Sequence, residues 1–345
     1  MLTVLNDLHI GVQRSSGTTP LTQWKLRQSV IAQANELIRE VDSDLMILGD
    51  LFDTHFVPFH DWLAAWQILD TWLTRHRDRT LYLVAGNHDL SKTSTTIGSF
   101  QALGRVLSEK HFNVVVVLEP QEVPHGYIVP HLPNQALFDQ ALSEVPMHSR
   151  ALFLHCNYDN NFAVQADQSL NLSADAAEEF TAHGMHIVIG HEHQTRLFGK
   201  QVWIPGNQIA TSVSDCMGTD VKRKLIINNS QPHFEPVCPV TNLLTRMDWR
   251  ELAPVITPFI RVEGTAKSDE AADVVARISK YRSGSDALVI TNAVKIEVEG
   301  GLAEKFAVSL ESAKAFDVMA ALKQCLTDEE FTIVSELKRK KGAQQ

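Results

Sequence analysis

Cysteine is scarce in this chain. Its 345 residues include four (Cys156, Cys216, Cys238 and Cys325) and no CxxC pair, which excludes a disulfide scaffold and a cysteine-rich zinc site. No apolar run approaches the roughly 18 residues that a membrane span needs. The start, MLTVLNDLHI, lacks the basic residues, long apolar stretch and small-residue cleavage site of a secretory signal. A reducing, cytoplasmic setting is expected, with no membrane. Positive charge is also short: 31 Lys and Arg against 41 Asp and Glu leave a formal net charge of −10. A protein that clings to nucleic acid by bulk positive charge is thereby disfavoured. Phosphate chemistry is not, because bound divalent cations invert the local field of an acidic protein. There is no GxxxxGK[ST] segment, so any use of ATP must come from another chain. What remains is ordinary: 44% apolar and 21% charged residues describe a globular chain. At about 100–200 residues per domain the length allows two domains or three.

Histidine is plentiful, at fifteen, and its placement follows the chain's organisation. Short apolar strands are predicted at 2–6, 45–48, 81–85, 151–154 and 186–189. Helices alternate with the first of them, one carrying Val30, Ala34, Leu37, Ile38 and Val41 on one face and another running from Asp61 to Leu73. Each strand stops at a polar residue that binds metals well: Asp7, Asp50, Asn87, His155 and His191. In open α/β sheets the ligand site lies beyond the carboxyl ends of the strands. The first unit is read over 1–240. A linker follows over 241–258, where Pro254 and Pro258 fall, and then a small α+β unit over 259–327 with helices at 268–281 and 312–325. A basic tail over 328–345 carries Lys338-Arg339-Lys340-Lys341.

Five segments hold the chemistry: Asp7-Leu8-His9, Gly49-Asp50-Leu51-Phe52-Asp53, Gly86-Asn87-His88-Asp89, His155, and Gly190-His191-Glu192-His193. Where a strand ends and the chain turns, Asp7 and His9 can converge on one ion, as can His191 and His193. Glycine before a donor lets the backbone turn sharply. Carboxylate, imidazole and amide oxygen without thiolate suit Mn, Fe or Zn. The donors are too many for one tetrahedral ion and suit two that share a carboxylate. Two cations about 3.5–4 Å apart meet the needs of phosphodiester hydrolysis, activating water and neutralising the phosphate. His88, next to Asn87, is placed to assist the leaving oxygen.

The ordered set DxH, GDxxD, GNHD, H and GHxH resembles the calcineurin-like metallophosphoesterase superfamily. More narrowly, Asp7-Leu8-His9-Ile10-Gly11, GDLFD at 49–53 and Val202-Trp203-Ile204-Pro205-Gly206-Asn207 resemble the SbcD-type DNA repair and recombination nucleases, including virus-encoded relatives. The resemblance covers residues 1–215. It implies an α/β fold, a two-layer β-sandwich flanked by helices, with a small C-terminal α+β capping domain facing DNA. It implies Asp7, His9 and His193 on one metal, Asn87, His155 and His191 on the other, and Asp50 bridging. His88 is then a catalytic group that does not coordinate, and Asp53 supports the site from its rim by holding a histidine or water. Two divalent ions are implied, manganese first, with Mg²⁺, Fe²⁺ or Zn²⁺ as alternatives. The implied partners are DNA, an SbcC-like coiled-coil ATPase and a second copy of the chain. Asn207 departs from the family's Ser or Thr, which points to a different substrate-side loop.

Plainer readings stand beside these. Alone, Asp7 reads as a turn residue and His155 as a core histidine; five coincidences at strand ends weigh against that. Trp62, Trp66, Leu69 and Leu73 form a helical stripe that is either core or a homodimer face. Arg14, in a Ser/Gly/Thr loop, and the basic tail read as solvated or as phosphate contacts. His131, between two prolines, reads as structural or cleft-lining. Two other functions use the same core: a phosphoesterase for small molecules or phosphoproteins, and a non-catalytic scaffold for an ATPase.

Overall fold

The computed structural model describes residues 1–13, 20–91, 96–160, 169–229 and 231–297. The chain begins β1 (Leu2–Leu5), α1 (Pro20–Arg39), β2 (Asp44–Leu48), α2 (Phe59–Arg75), β3 (Leu81–Val84), α3 (Ser99–Lys110) and β4 (Val114–Val117). It continues through β5 (Gln121–Val123), β6 (Gly126–Val129), α4 (Gln135–Ser143), β7 (Ala151–His155), β8 (Asn157–Tyr158) and β9 (Asn171–Leu172). Next come α5 (Ala174–Ala182), β10 (His186–Gly190), β11 (Arg196–Phe198), β12 (Val202–Ile204), β13 (Val221–Asn228) and β14 (Gln231–Pro239).

One six-stranded sheet has the order β14-β13-β1-β2-β3-β4, the other β11-β12-β10-β7-β6-β5. Strands β1 to β4 run parallel, as do β6, β7, β10 and β12. Strands covered on both faces need no polar side, so the parallel strands read as unbroken apolar runs. Alternate residues point to opposite faces. Leu2, Val4, Met46, Leu48, Tyr82 and Val84 therefore pack inward on Ile128, Phe153 and Val188 of the second sheet. Leu5, Leu45, Ile47, Leu81 and Leu83 turn outward to meet α1, α2 and α3. On α1 the buried stripe is Leu26, Val30, Ala34 and Ile38, spaced for one helical face. Helices α4 and α5 cover the second sheet. The expected α/β sandwich flanked by helices is the fold observed.

The α2 stripe is mainly core. Leu69 and Leu73 are fully buried, and Trp62 and Trp66 are half-buried against them. The large exposed groups here are Phe56, Phe59 and Ile97.

Beyond β14 the stretch read as a linker is partly sheet. Leu244–Asp248 (β15) pairs in parallel with Phe259–Glu263 (β16), and β16 with Val289–Asn292 (β18). Two prolines at 254 and 258 signalled a break, but the apolar spacing of Leu244 and Met247 is short, and pairing with β16 decides it. Phe259 and Val289 join the same apolar cluster as Val240 and Ile209. Thr265–Lys267 (β17) lies after β16; Ala271–Gly284 (α6) is the crossover to β18, and Lys295–Glu297 (β19) follows. Among the described residues, 265–272 and 296–297 belong to a second compact unit. In its described part the Lys267 backbone N–H donates to Glu270 Oε2 at 2.8 Å. The helix read at 312–325, the basic tail and Arg14 lie outside the described residues. No helix among the described residues is long and apolar enough to cross a membrane.

The two sheets are clasped at the end where β2 begins. The Asp44 carboxylate accepts the Thr80 N–H at 2.9 Å and meets His125 Nε2 of the β5–β6 turn at 2.7 Å. Burial works to raise the Asp44 carboxyl, but the His125 and Thr80 hydrogen bonds outweigh it and hold the group below its ordinary range. Asp44→Ala is expected to cost about 1–2 kcal/mol, as a charged hydrogen bond at a part-open site does. A depressed carboxyl stabilises the fold above the unfolded value, near 3.8, and ceases to as pH falls through the folded one. The Tm gap between wild type and variant should thus be full at neutral pH and close in acid; a gap that widens in acid contradicts the clasp.

Candidate metal centre

The carboxyl ends of β1, β2, β3, β7 and β10 meet at the opposite end of the sandwich. The backbone there is bent into an unusual form. Among the described residues six non-glycine residues have left-handed φ, and four are Asp7 (53°), His9 (48°), Asp50 (49°) and His191 (84°). Each such residue costs about 1–2 kcal/mol, so the surroundings must impose it. The turns after β1 and β2 do so by zipping together: Asp7 N–H to the Gly49 carbonyl at 3.1 Å, His9 N–H to that of Asp50 at 3.1 Å, Ile10 N–H to that of Leu51 at 2.9 Å. Two glycines make room. A Cβ on Gly49 would stand 1.9 Å from His155 Nδ1, and one on Gly86 would stand 2.2 Å from Asp50 Oδ1.

The donors gather in two groups. Asp7, His9 and His193 place ligand atoms within 4.8 Å of one another, with His9 Nε2 and His193 Nε2 only 3.2 Å apart. Asp50, His155 and His191 form the second group. Asn87 Oδ1 sits in it, 3.1 Å from His155 Nε2 and 3.0 Å from His191 Nδ1. Asp50 Oδ2 is 3.5 Å from His155 Nε2 and 3.9 Å from His88 Nε2. His88 Nδ1 lies 2.6 Å from the Asp53 carbonyl oxygen, which can only accept, so the ring's Nε2 is left for the cleft. A third possible group joins His9, Asp53 and His88. Asp53 is buried against His9 (Oδ1 to Nδ1, 3.4 Å) and accepts the Gln13 N–H, deeper than a rim position.

Electrostatics inside the site are strongly skewed. Burial works to raise Asp50, yet His155, His9 and His88 hold it well below the carboxylate range. Burial opposes a charge on His155, but Asp50, Asp7 and the Leu48 carbonyl outweigh it and lift the imidazole to about 9. Burial and the charge of His155 push His191 down to about 3. Burial raises Asp7, while burial and neighbouring Asp50 push Asp89 up to about 8 against the pull of its N–H donors. His131, whose backbone N–H donates to the Ala85 carbonyl at 2.9 Å just past β3, is driven down to about 4 chiefly by burial, with the charge of His155 adding to it. At neutral pH a cation must displace the His155 proton. Divalent-cation affinity is therefore expected to rise with pH up to about 9. Calorimetry in two buffers of different ionisation heat measures the released proton; a flat profile contradicts the assignment.

The donor set fits a pair of divalent cations. Asp7 Oδ1 is fully buried and receives no hydrogen bond, while its Oδ2 is engaged by Asn6 and the His191 N–H. A carboxylate oxygen left so is costly without a cation. Paired imidazole nitrogens facing each other at 3.2 Å also need a proton or a metal between them.

Sequence reasoning left several supporting groups without a role. Asp89 accepts the N–H groups of Leu51, Phe52 and Gly86 and so fixes the turns after β2 and β3; its place in the GNHD motif was the available signal. Glu192 accepts the Tyr158 N–H and pairs with Arg196. Asp215 meets His193 Nδ1 at 2.8 Å, and Lys222, 1% exposed, bonds Asn207 and the His193 carbonyl. Nothing in their local sequence sets these two apart. Asn207 is fully buried on Lys222, a structural position rather than a substrate-side loop.

The sequence profile described as calcineurin-like phosphoesterase matches residues 1–204. No curated protein matches the chain. Among solved structures, a Pseudomonas putida nuclease MPE is similar over 59% of this chain and 66% of that one, at 19% identity and a TM-score of 0.25. The chain thus spans just under two thirds of that nuclease's length. The protein TT1561 of Thermus thermophilus is similar over 68% of this chain and 98% of that one, at 10% identity and a TM-score of 0.38.

Proposed function

Since the chain belongs to the calcineurin-like phosphoesterase family, we propose that it is a metal-dependent nuclease that hydrolyses phosphodiester bonds of DNA. The observation that carries the reading is the double cradle of donors beside His88, a histidine held by a backbone carbonyl at 2.6 Å with its other nitrogen facing the cleft. Asp7, His9 and His193 would hold one cation, Asn87, His155 and His191 the other, and Asp50, grouped with His155 and His191, would be shared between them. Bound there, divalent cations supply a nucleophile from water at neutral pH and neutralise phosphoryl charge. Protonated on both nitrogens, His88 would give its Nε2 proton to the departing oxygen, while its Nδ1–H stays on the Asp53 carbonyl and keeps the ring oriented. Manganese suits the mixed nitrogen and oxygen donors.

Two features favour a polynucleotide over a small phosphodiester. The motifs DLHIG and GDLFD resemble those of SbcD-type nucleases, as does the turn at 202–206 up to its departure at Asn207. A cleft of about 600 Å³ between residues 249–255 and α6 gathers Arg250, Arg277, Lys280 and Tyr281 on a chain of net charge −10. Cations beside an aromatic ring suit a nucleic-acid strand. Purified full-length protein should cleave plasmid or linear DNA with Mn²⁺ and stop on chelation. Hydrolysis of an aryl phosphodiester with intact DNA moves the assignment to the small-molecule reading, and tight Mn²⁺ binding with neither activity moves it to the scaffold.

A second copy of the chain and a coiled-coil ATPase belong to the same proposal. Phe56, Phe59 and Ile97, 52%, 72% and 65% exposed, line a shallow apolar patch with Trp62, and aromatic patches of this kind carry interface energy. Phe59→Asp should turn a dimer into a monomer in light scattering; an unchanged, folded dimer removes the patch from the interface.

A further inference from the structure

We infer that Asp215 is a positioning residue that fixes the tautomer of His193, keeping the proton on Nδ1 and leaving the lone pair on Nε2, the nitrogen that would hold a cation. The inference rests on the metal reading above and deepens it. Asp215 sits in the short 3₁₀ turn Ser214–Cys216, 2% exposed. Its two oxygens are used differently. Oδ2 accepts the Thr211 N–H at 2.7 Å, the Thr211 hydroxyl at 3.0 Å and the Ser212 N–H at 2.9 Å. Oδ1 is 2.8 Å from His193 Nδ1. A carboxylate only accepts, so Nδ1 must donate, and Nε2, 3.2 Å from His9 Nε2, is left with its lone pair. The backbone of His193 is pinned as well. Its carbonyl accepts the Asn207 N–H at 3.2 Å and Lys222 Nζ at 3.4 Å, and Lys222 is tied to the Asn207 side chain. The ring therefore has little freedom to escape the rule set by Asp215.

This arrangement makes the isosteric change worse than the truncation. In Asp215→Asn the amide oxygen must turn to Thr211 and Ser212, because an NH₂ there would face N–H donors. The NH₂ then faces His193 Nδ1, which must accept, and the ring proton moves to Nε2, where it blocks the cation. In Asp215→Ala nothing dictates the tautomer, and His193 can still present Nε2. Packing alone gives the reverse order, since alanine leaves three buried donors unmet and asparagine satisfies them.

The test uses the full-length, metal-free protein with ¹⁵N-labelled histidine, and Mn²⁺ as the probe. Asp215→Asn should show the His193 proton on Nε2 and weaken Mn²⁺ binding by about 10–100-fold. Asp215→Ala should bind Mn²⁺ more tightly than Asp215→Asn while melting lower. A His193 proton that stays on Nδ1 in Asp215→Asn overturns the inference, as does affinity that follows melting temperature across both variants. If Asp215→Ala does not fold, the tautomer in Asp215→Asn decides alone. His193→Ala separates the two levels: Mn²⁺ affinity equal to wild type there sinks the metal reading itself and the inference with it.

Discussion

His88→Ala is expected to slow DNA cleavage by about 10²–10⁴-fold, the range for loss of a positioned general acid, with both cations retained. The imidazole is about a third exposed, so little core packing is lost and Tm should move little. What disappears is a proton donor whose ring is held at Nδ1 by the Asp53 carbonyl, 2.6 Å away. Metal content by elemental analysis is the deciding readout, because His88 also falls in a possible donor group with His9 and Asp53. Stoichiometric loss of a cation in the variant would make His88 a ligand and reassign its role. An intact rate would remove it from the chemistry.

Asp50→Ala should be the more damaging change at the level of binding. Asp50 is the carboxylate of its donor group, with His155 and His191, and it also accepts the His88 N–H at 2.9 Å. Losing it leaves neutral donors facing a dication and frees the turn that carries His88. Even an outer partner of a metal ligand costs about 10–100-fold, so a shared ligand should exceed about 100-fold in Mn²⁺ affinity and abolish cleavage. One compensation is built in: without Asp50, His155 loses its strongest charge partner and gives up its proton more easily. Cation binding in the variant should accordingly depend less on pH than in wild type. A variant that keeps two cations and the wild-type rate removes Asp50 from the site.

The site was more legible than the fold that builds it. Donors such as Asp7, Asp50 and Asn87 stand at the ends of apolar runs, so local spacing marked them, whereas the glycines at 49 and 86 were legible as turns and their clearance for His155 and Asp50 is tertiary. Strands β1, β2, β3, β7 and β10 were visible because parallel strands buried on both faces leave no polar gaps. Helix α3 and strands β4 and β5 were not singled out: β4 is a run of four valines at 114–117 of which only Val117 is fully buried, and β5 (Gln-Glu-Val) is a three-residue strand whose place is set by its antiparallel pairing with β6. Strand β15 was hidden for the same reason, since its pairing with β16 is tertiary. Asp215 and Lys222 were illegible on principle. Each acts on His193 from more than twenty positions away, and short-range pattern carries no record of such a contact.

The left-handed backbone at Asp7, His9, Asp50 and His191 has a consequence for anyone engineering this protein. Glycine adopts that conformation freely, so a campaign that rewards heat resistance alone is drawn toward glycine at those four positions. Each step would relieve about 1–2 kcal/mol of backbone strain only by giving up a buried side chain and a cation donor, so the catalyst becomes poorer, a trade-off known from other enzymes. Selection for thermal robustness must therefore be run with the cations present, where the same four residues stabilise the loaded state.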